Sequence, residues 1–384
     1  MNKIGLITIA PFPIGNVTTV RYSSYLKSLV ENGDFAKVYI YTPTRMACKV
    51  TKLSGEYNGI KYQYTSVPTL KLYNLPNRIF YLIKGLINSC KHIKRDNIET
   101  LIITEEQPFL VFLFYRLVCS IYGLRYIWEK TEYPPIAVRK NSLKEFIYMK
   151  RAKLVDGIIV ITDELIKYFG KFKPSSNLML LPVTIDTNRF ANAERENVSV
   201  PYMAAVFGIH NRDGLEETLL AFSKYKQLGG SYRLHLVGNF DKMPNAEKLK
   251  KIISDNSISE EVQILGLIPI EKVPNILCNA ACLVTTPNFY ISGGFPTKLA
   301  EYMLSGVPII ATNAGEVSNY IANREDMLIE APGDLDSIAS AMLYIEKNPK
   351  IGNELAQNAK RKASVIFNAH TYVKDLHNFL IKNA

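Results

Sequence analysis

Short apolar runs alternate with longer stretches of helical periodicity from one end of the chain to the other. Residues 3–10, KIGLITIA, are almost continuously apolar, as a strand covered on both faces requires. Residues 11–16 make a turn containing Gly15, and residues 17–31 repeat Val20, Tyr25 and Leu29 at helical spacing before Gly33. Residues 38–41 are apolar again, so the chain opens as a βαβ unit. Further apolar runs fall at 101–104, 126–130 and 157–162, with helical patterns at 74–95, 108–122 and 146–153; residues 49–69 alternate and carry Gly55 and Gly59, which suits a hairpin. A polar stretch at 191–200 reads as a linker. The alternation restarts at 202–207 and returns at 234–237, 262–265 and 282–285, and from Pro332 onward the pattern is helical. Two halves of this kind predict an α/β protein of two Rossmann-like doubly wound domains facing a central cleft, 1–190 and 200–365, with a terminal helix at 366–384.

The sharpest local signal is YISGGFPTKLAEYMLSGVPIIAT, residues 290–312. Ser292, Gly293 and Gly294 form a turn that uses glycine's tolerance of positive φ. Pro296 sits where a first helical residue would, Leu299, Tyr302 and Met303 mark a buried helical face, and Gly306 closes the helix ahead of an apolar strand. A glycine turn feeding a helix presents free backbone N–H groups at the positive end of a dipole, which suits a phosphate. Lys298 and Glu301 are three apart and Thr297 and Glu301 four apart, so their polar groups share one face.

This unit resembles glycosyltransferase family 4, of the GT-B fold, in the variant found in surface-polysaccharide synthesis. The resemblance is carried by GFPTK, EYM and the following G-x-P, and by residues 154–169 and 178–190, which resemble the end of that family's first domain with Pro182, Asp186 and Phe190 in its closing turn. It implies transfer of a sugar from a nucleotide-sugar donor, UDP- or GDP-linked, to a glycan acceptor with retained anomeric configuration. Glu301 matches the family glutamate that holds the ribose hydroxyls, while Gly293 replaces the glutamate expected eight residues earlier. Arg212 matches a phosphate-binding arginine, Lys298 supplies the second cation, and both join Glu301 as the catalytic set. Gly15, Gly208, Leu267, Gly293, Gly294, Phe295, Pro296 and Thr297 are implied donor contacts, with the base beside Leu267. Glu129, Glu132 and Arg21 are the acceptor-side candidates, and the last helix is implied to return to the first domain. A nucleotide-sugar epimerase of the same fold, a non-catalytic nucleotide-sugar binder and a polyanion-binding protein stay open as alternatives.

Composition narrows these. The first turn lacks the G-x-G-x-x-G fingerprint, which disfavours a nicotinamide dehydrogenase. Five scattered cysteines with no second pair fit a reduced cytoplasmic compartment, and the absence of an Asp-x-Asp or ligand cluster means that no cofactor or metal is expected. Net charge is +11, and residues 1–190 hold 27 Lys and Arg against 14 Asp and Glu, so the first half carries all of the excess. Ile79, Leu82, Ile83, Leu86 and Ile87 form an apolar stripe edged by Arg78, Lys84, Lys91, Lys94 and Arg95. That combination predicts peripheral attachment to an anionic membrane, where a lipid-linked acceptor would reside. No recognition motif or aromatic platform accompanies the charge, so nucleic acid is not an expected partner.

Overall fold

The computed structural model describes residues 1–15, 17–41, 52–66, 75–104, 107–133, 142–191, 193–194, 196, 198–208, 213–288, 295–315 and 317–382. The chain divides into two compact units, Met1–Asp186 with Asn368–Ala384, and Thr187–Phe367. The break therefore precedes the polar stretch expected to be the linker: Thr187–Phe190 forms a 3-10 turn that belongs to the second unit.

The first unit is built on eight strands: β1 (Lys3–Thr8), β2 (Phe35–Ile40), β3 (Ser54–Tyr57), β4 (Ile60–Tyr64), β5 (Thr100–Ile103), β6 (Arg125–Lys130), β7 (Gly157–Val160) and β8 (Leu178–Leu180). Their order is β3-β4-β2-β1-β5-β6-β7-β8. All neighbours are parallel except β3, which folds back on β4 through Asn58 and Gly59, both at positive φ as a tight hairpin requires. Leu6 of β1 lies between Val38 and Ile102, in a run with no exposed residue. Helix α1 (Val17–Glu31) covers one face and packs Tyr22, Tyr25 and Leu26 onto Ile4, Leu6, Ile127 and Ile159. The C-terminal helix, Val373–Ile381, completes that core with Leu376, Phe379 and Leu380. Polar contacts hold it and the 3-10 turn ahead of it: Asp34, which also accepts from Asn2 N, meets His377 Nδ1 at 2.6 Å, Thr100 donates to the Leu380 carbonyl, and His370 of the turn Ala369–Tyr372 meets Glu31 at 2.8 Å.

Helix α2 (Leu75–Arg95) turns a different face inward from the one its periodicity suggests. Gly85, Ser89 and Ile93 are buried, Leu82 and Leu86 are half-buried, and Ile79, Ile83 and Ile87 each keep about half of their surface exposed. The reason is local. Gly85 lies against the Tyr41 carbonyl, and Ser89 bonds Tyr115 of α3 (Phe109–Tyr122) at 2.9 Å, so small and polar residues make the closest approach.

The second unit has six parallel strands: β9 (Tyr202–Val206), β10 (Arg233–Val237), β11 (Val262–Gly266), β12 (Cys282–Thr285), β13 (Ile309–Thr312) and β14 (Leu328–Glu330). Their order is β11-β10-β9-β12-β13-β14. Numbered within the unit this is 3-2-1-4-5-6, which reverses direction between the first and fourth strands and opens a crevice at their carboxyl ends. Leu215, Leu219 and Phe222 pack with Met203, Leu234, Val284 and Ile310 at the centre of the core.

One titratable group is unusually placed. Lys130 closes β6 with 5% of its surface exposed, its ammonium 3.3 Å from the Tyr148 hydroxyl and over the Trp128 ring. Burial lowers its pKa to about 7, with Arg151 adding to the fall and Glu132 opposing it. The unfolded chain, with an ordinary lysine pKa of ~10.4, binds more protons than the native state between about pH 7 and 10, so this residue makes stability rise with pH over that window. Chemical denaturation at pH 7 and 9 should show the rise, and Lys130→Met should reduce it; an undiminished rise in the variant would contradict the assignment.

Candidate functional site

The carboxyl edge of the second sheet gathers the charged groups. β9 ends at Val206 and leads into Gly208, whose N–H donates to Asp213 Oδ2. Gly214 follows at φ +70° and starts the helix Leu215–Gln227. A Cβ at Gly214 would lie 1.8 Å from the Thr286 carbonyl, so a side chain here would force apart the segments following β9 and β12. They are tied by Thr286 Oγ1, which donates to the Gly214 carbonyl at 2.8 Å and shares a 2.7 Å contact with Thr218.

The helix that follows the glycine-rich segment runs Thr297–Ser305 and ends at Gly306 in the left-handed region. Pro296 is its N-cap rather than its first helical residue, and its carbonyl accepts from Leu299 N. Lys298 and Tyr302, one turn apart, both engage Val206. Lys298 Nζ donates to the Val206 carbonyl at 3.1 Å, and Val206 N donates to the Tyr302 hydroxyl at 2.7 Å. Lys298 also pairs with Asp213 Oδ1 at 2.6 Å, which links the helix to the Gly208 turn. Glu301, three residues on, pairs with Arg189 Nη1, while Arg189 Nη2 donates to the Ile270 carbonyl at 2.8 Å. The Glu301 side chain keeps 20% of its surface accessible, yet protein atoms crowd its carboxylate. Burial raises its pKa above the usual carboxylate range, against the opposing pull of Arg189 and Lys298.

Lys298 and Glu301 thus share a helix face, as their spacing predicts, and each already holds a partner. Leu267 lies just past β11 and is 76% exposed, three residues before the carbonyl that Arg189 grips. Thr297 is half-buried at the helix start. The donor role expected of Phe295 does not extend to its ring, which is buried at 3% exposure between Tyr320 and Phe367. Arg212, Gly293 and Gly294 lie outside the described residues.

In the first unit the acceptor-side expectations for Arg21 and Glu129 give way to a structural role. Arg21, 4% exposed, donates Nε to Glu129 at 2.7 Å, Nη1 to the Pro182 carbonyl at 2.6 Å and Nη2 to the Leu181 carbonyl at 2.9 Å. The other Glu129 oxygen accepts from Tyr25 at 3.0 Å. Both oxygens are taken inside the core, because α1 and β6 face one another there. Glu132 stays half-exposed just past β6. Gly15 packs where a Cβ would meet the Pro11 carbonyl at 2.4 Å, beside a Thr19 bond to the same oxygen.

Arg189 and Asp213 escaped the sequence reading. Arg189 lies in the turn marked by Pro182, Asp186 and Phe190, and an arginine beside an aromatic there was the available signal. Asp213 stood directly before a helix-starting glycine.

Two doubly wound parallel-sheet units, with charges gathered at the switch point of the second, define the GT-B fold of glycosyltransferases. Residues 185–362 match the family described as glycosyl transferases group 1. Among curated proteins, the amylovoran biosynthesis glycosyltransferase AmsK of Erwinia amylovora is 21% identical over 211 residues, 54% of this chain. The chain spans about half of that relative's length, 51%. Sucrose-phosphate synthase from Thermosynechococcus elongatus superposes with a TM-score of 0.76 over 98% of both chains at 14% identity. Anabaena HepE in complex with UDP-glucose gives 0.72 over 98% of this chain and 99% of its own, at 13% identity.

Arg189→Met should destabilise the second unit by about 1–3 kcal/mol, the cost of leaving a mostly buried charged acceptor unmatched. In urea unfolding the double variant Arg189→Met/Glu301→Gln should recover part of that loss, because no carboxylate is then stranded. Additive losses would mean that the two residues are not coupled.

Proposed function

We propose that this protein is a glycosyltransferase of bacterial surface-polysaccharide synthesis, moving a sugar from a UDP- or GDP-sugar to a glycan acceptor carried on a lipid. The observation that carries the reading is the row of Asp213, Lys298, Glu301 and Arg189 at the carboxyl edge of the second sheet, where doubly wound folds bind nucleotides. A relative named for amylovoran biosynthesis and a neighbour solved with UDP-glucose support it.

In this reading Glu301 accepts from the two ribose hydroxyls, which a carboxylate can do at once. Arg189 keeps that carboxylate ionised in spite of its burial. Lys298, with Arg212 assigned from its place in the sequence, meets the diphosphate, and the phosphate oxygens replace Asp213 as the partner of Lys298. The bond between the anomeric carbon and the diphosphate oxygen breaks while the bond to the acceptor oxygen forms on the same face. The departing diphosphate takes the acceptor's proton, and configuration is retained. Fixed cations facing the oxygen on which charge builds are the main source of rate in such a step. This assignment asks for no metal or other cofactor.

The first unit supplies the membrane side of the proposal. The exposed Ile79, Phe80, Ile83 and Ile87 on α2 are interleaved with Arg78, Lys84, Lys91 and Lys94. Among the described residues no helix is long and apolar enough to cross a membrane. Attachment from the cytoplasmic side would then be peripheral, each cation near an anionic bilayer contributing about 1 kcal/mol.

Calorimetry with UDP and GDP tests the donor site. Glu301→Gln should weaken binding of whichever nucleotide is taken by about 1–3 kcal/mol. Because burial raises the Glu301 pKa, wild-type affinity should fall on acidification before an ordinary carboxylate would protonate, and Glu301→Gln should remove that dependence. Lys298→Ala should lower affinity for the diphosphate more than for the nucleoside, and equal losses would remove it from the phosphates. Unchanged affinity in Glu301→Gln would overturn the ribose assignment.

In co-sedimentation, binding should rise with the anionic lipid content of vesicles, fall with salt and weaken in Ile83→Glu. Equal, negligible binding to anionic and neutral vesicles would overturn the membrane reading.

A further inference from the structure

Helix α3 has an outer face that the described residues leave uncovered. Its inner face is accounted for: Val111, Phe112, Tyr115, Val118 and Cys119 are buried, and the Phe112 ring packs on Tyr126 and Trp128 of β6. The outer face repeats Leu110, Leu113, Leu117 and Ile121 at helical spacing, and Leu110 keeps 75% of its surface exposed and Ile121 74%. Single exposed leucines mean little, but a helix apolar on every side normally lies inside a protein. A continuous apolar row left in solvent marks a surface that meets something else. The one charged residue of α3, Arg116, is paired with Asp156 at 2.8 Å.

The row is flanked on both sides. Towards β2, α2 docks through the Ser89–Tyr115 contact and sets the Lys94 ammonium over the Tyr122 ring at 5.9 Å. Towards β7, the helix Ser142–Leu154 sets Arg151 over the Phe109 and Phe112 rings and packs Tyr148 on Trp128. All three helices lie on the face of the sheet that carries Trp128, opposite the one that α1 covers through Ile127. Each flank adds exposed apolar residues, Ile83 and Phe146 among them, and exposed lysines, Lys84 and Lys91 on α2 and Lys150 and Lys153 on the other helix. In sequence the three helices hold ten Lys and Arg against a single acidic residue, Glu145, which accepts from the Tyr168 hydroxyl at 2.6 Å.

We infer that α3 enters the hydrocarbon edge of an anionic bilayer, with the row from Leu110 to Ile121 as the deepest part of the contact and the flanking lysines meeting lipid phosphates. The inference rests on the membrane reading above and adds the inserted element and its orientation. Charge selects a bilayer over a second copy of the chain. A self-complementary contact sets both cationic flanks against their own kind, with only Glu145 to answer them, whereas anionic lipid satisfies the row and the lysines together. At 14 residues α3 is about 21 Å long, too short to span a hydrocarbon core of ~30 Å, so it lies in the plane of the surface. The carboxyl edge of the first sheet, from which α3 sets out after β5, then opens sideways along the lipid headgroups, where a lipid-linked acceptor presents its sugar.

The test is co-sedimentation of the full chain with phosphatidylglycerol–phosphatidylcholine vesicles across a salt series. Wild type is compared with Leu117→Gln/Ile121→Gln and with a control in the second unit, Leu228→Gln, whose leucine is also exposed. Glutamine adds no charge, so a loss reports apolar contact. Wild type should lose most of its binding with salt but keep a remainder at high salt. The double variant should bind about tenfold or more weakly and keep no remainder, while the control matches wild type. Leu117→Trp should be quenched by lipids brominated on the acyl chain, beyond any quenching of the wild type, whose one tryptophan, Trp128, is buried. Binding undiminished in the double variant, with no added quenching, overturns the inference and leaves attachment through α2 standing; no vesicle binding at all overturns both. A lowered urea midpoint in the double variant places the row in the core, and a wild-type dimer that the double variant abolishes assigns it to a second copy; either result also overturns the inference.

Discussion

The pairing of Glu301 with Arg189 is the interaction on which the second unit's site depends. A carboxylate crowded by protein atoms loses hydration that only a nearby cation or several donors can replace. Arg189 supplies that cation from the 3-10 turn at the start of the unit, and its second nitrogen is fixed by the Ile270 carbonyl past β11. One guanidinium thus joins the chain entering the unit, the helix Thr297–Ser305 and the edge of the sheet. Neighbouring Lys298 is held in the same manner by Asp213 and the Val206 carbonyl. Neither ion pair is fully buried: Arg189 and Glu301 keep 18% and 20% of their side-chain surface exposed, and Lys298 and Asp213 keep 24% and 13%.

Strand order explains why these groups meet. β9 and β12 are neighbours in the sheet, but the segments that leave them run to opposite sides, the geometry of a switch point. The segments still touch at one place, Gly214 against the Thr286 carbonyl, where the threonine hydroxyl closes the gap. From that contact Asp213 is placed against Lys298. Helical spacing then brings Lys298, Glu301 and Tyr302 to one face, so that a single helix engages Val206, Asp213 and Arg189 together.

The regular parts of this arrangement were legible in the sequence. The alternation of apolar runs with helical periodicity gave two doubly wound halves, and Gly306 marked the end of the helix that carries Lys298 and Glu301. The three residues of β14 are too few to register as a run and went unread. Apolar spacing on α2 marked a stripe but not its direction, since Gly85 and Ser89 pack closer than any isoleucine. Ion-pair partners were the least legible. Arg21 and Glu129 lie 108 positions apart and Arg189 and Glu301 112 apart, and nothing local distinguishes the first, consumed in the core, from the second, which stays within reach of solvent. Only the fold separates them.

The first unit's excess of positive charge is therefore not a single feature. Arg21 is neutralised inside the core, and Lys130 loses much of its charge to burial. The cations of α2 stand in solvent beside exposed isoleucines, where charge is inexpensive to keep and available to a surface. Arg125 belongs to neither group. It is partly withdrawn from water, stacked on Phe379, and bonded through Nη1 to the Lys382 carbonyl. Its contacts with the Phe379 ring and the Lys382 carbonyl tie the edge of the first sheet to the C-terminal helix, within one unit.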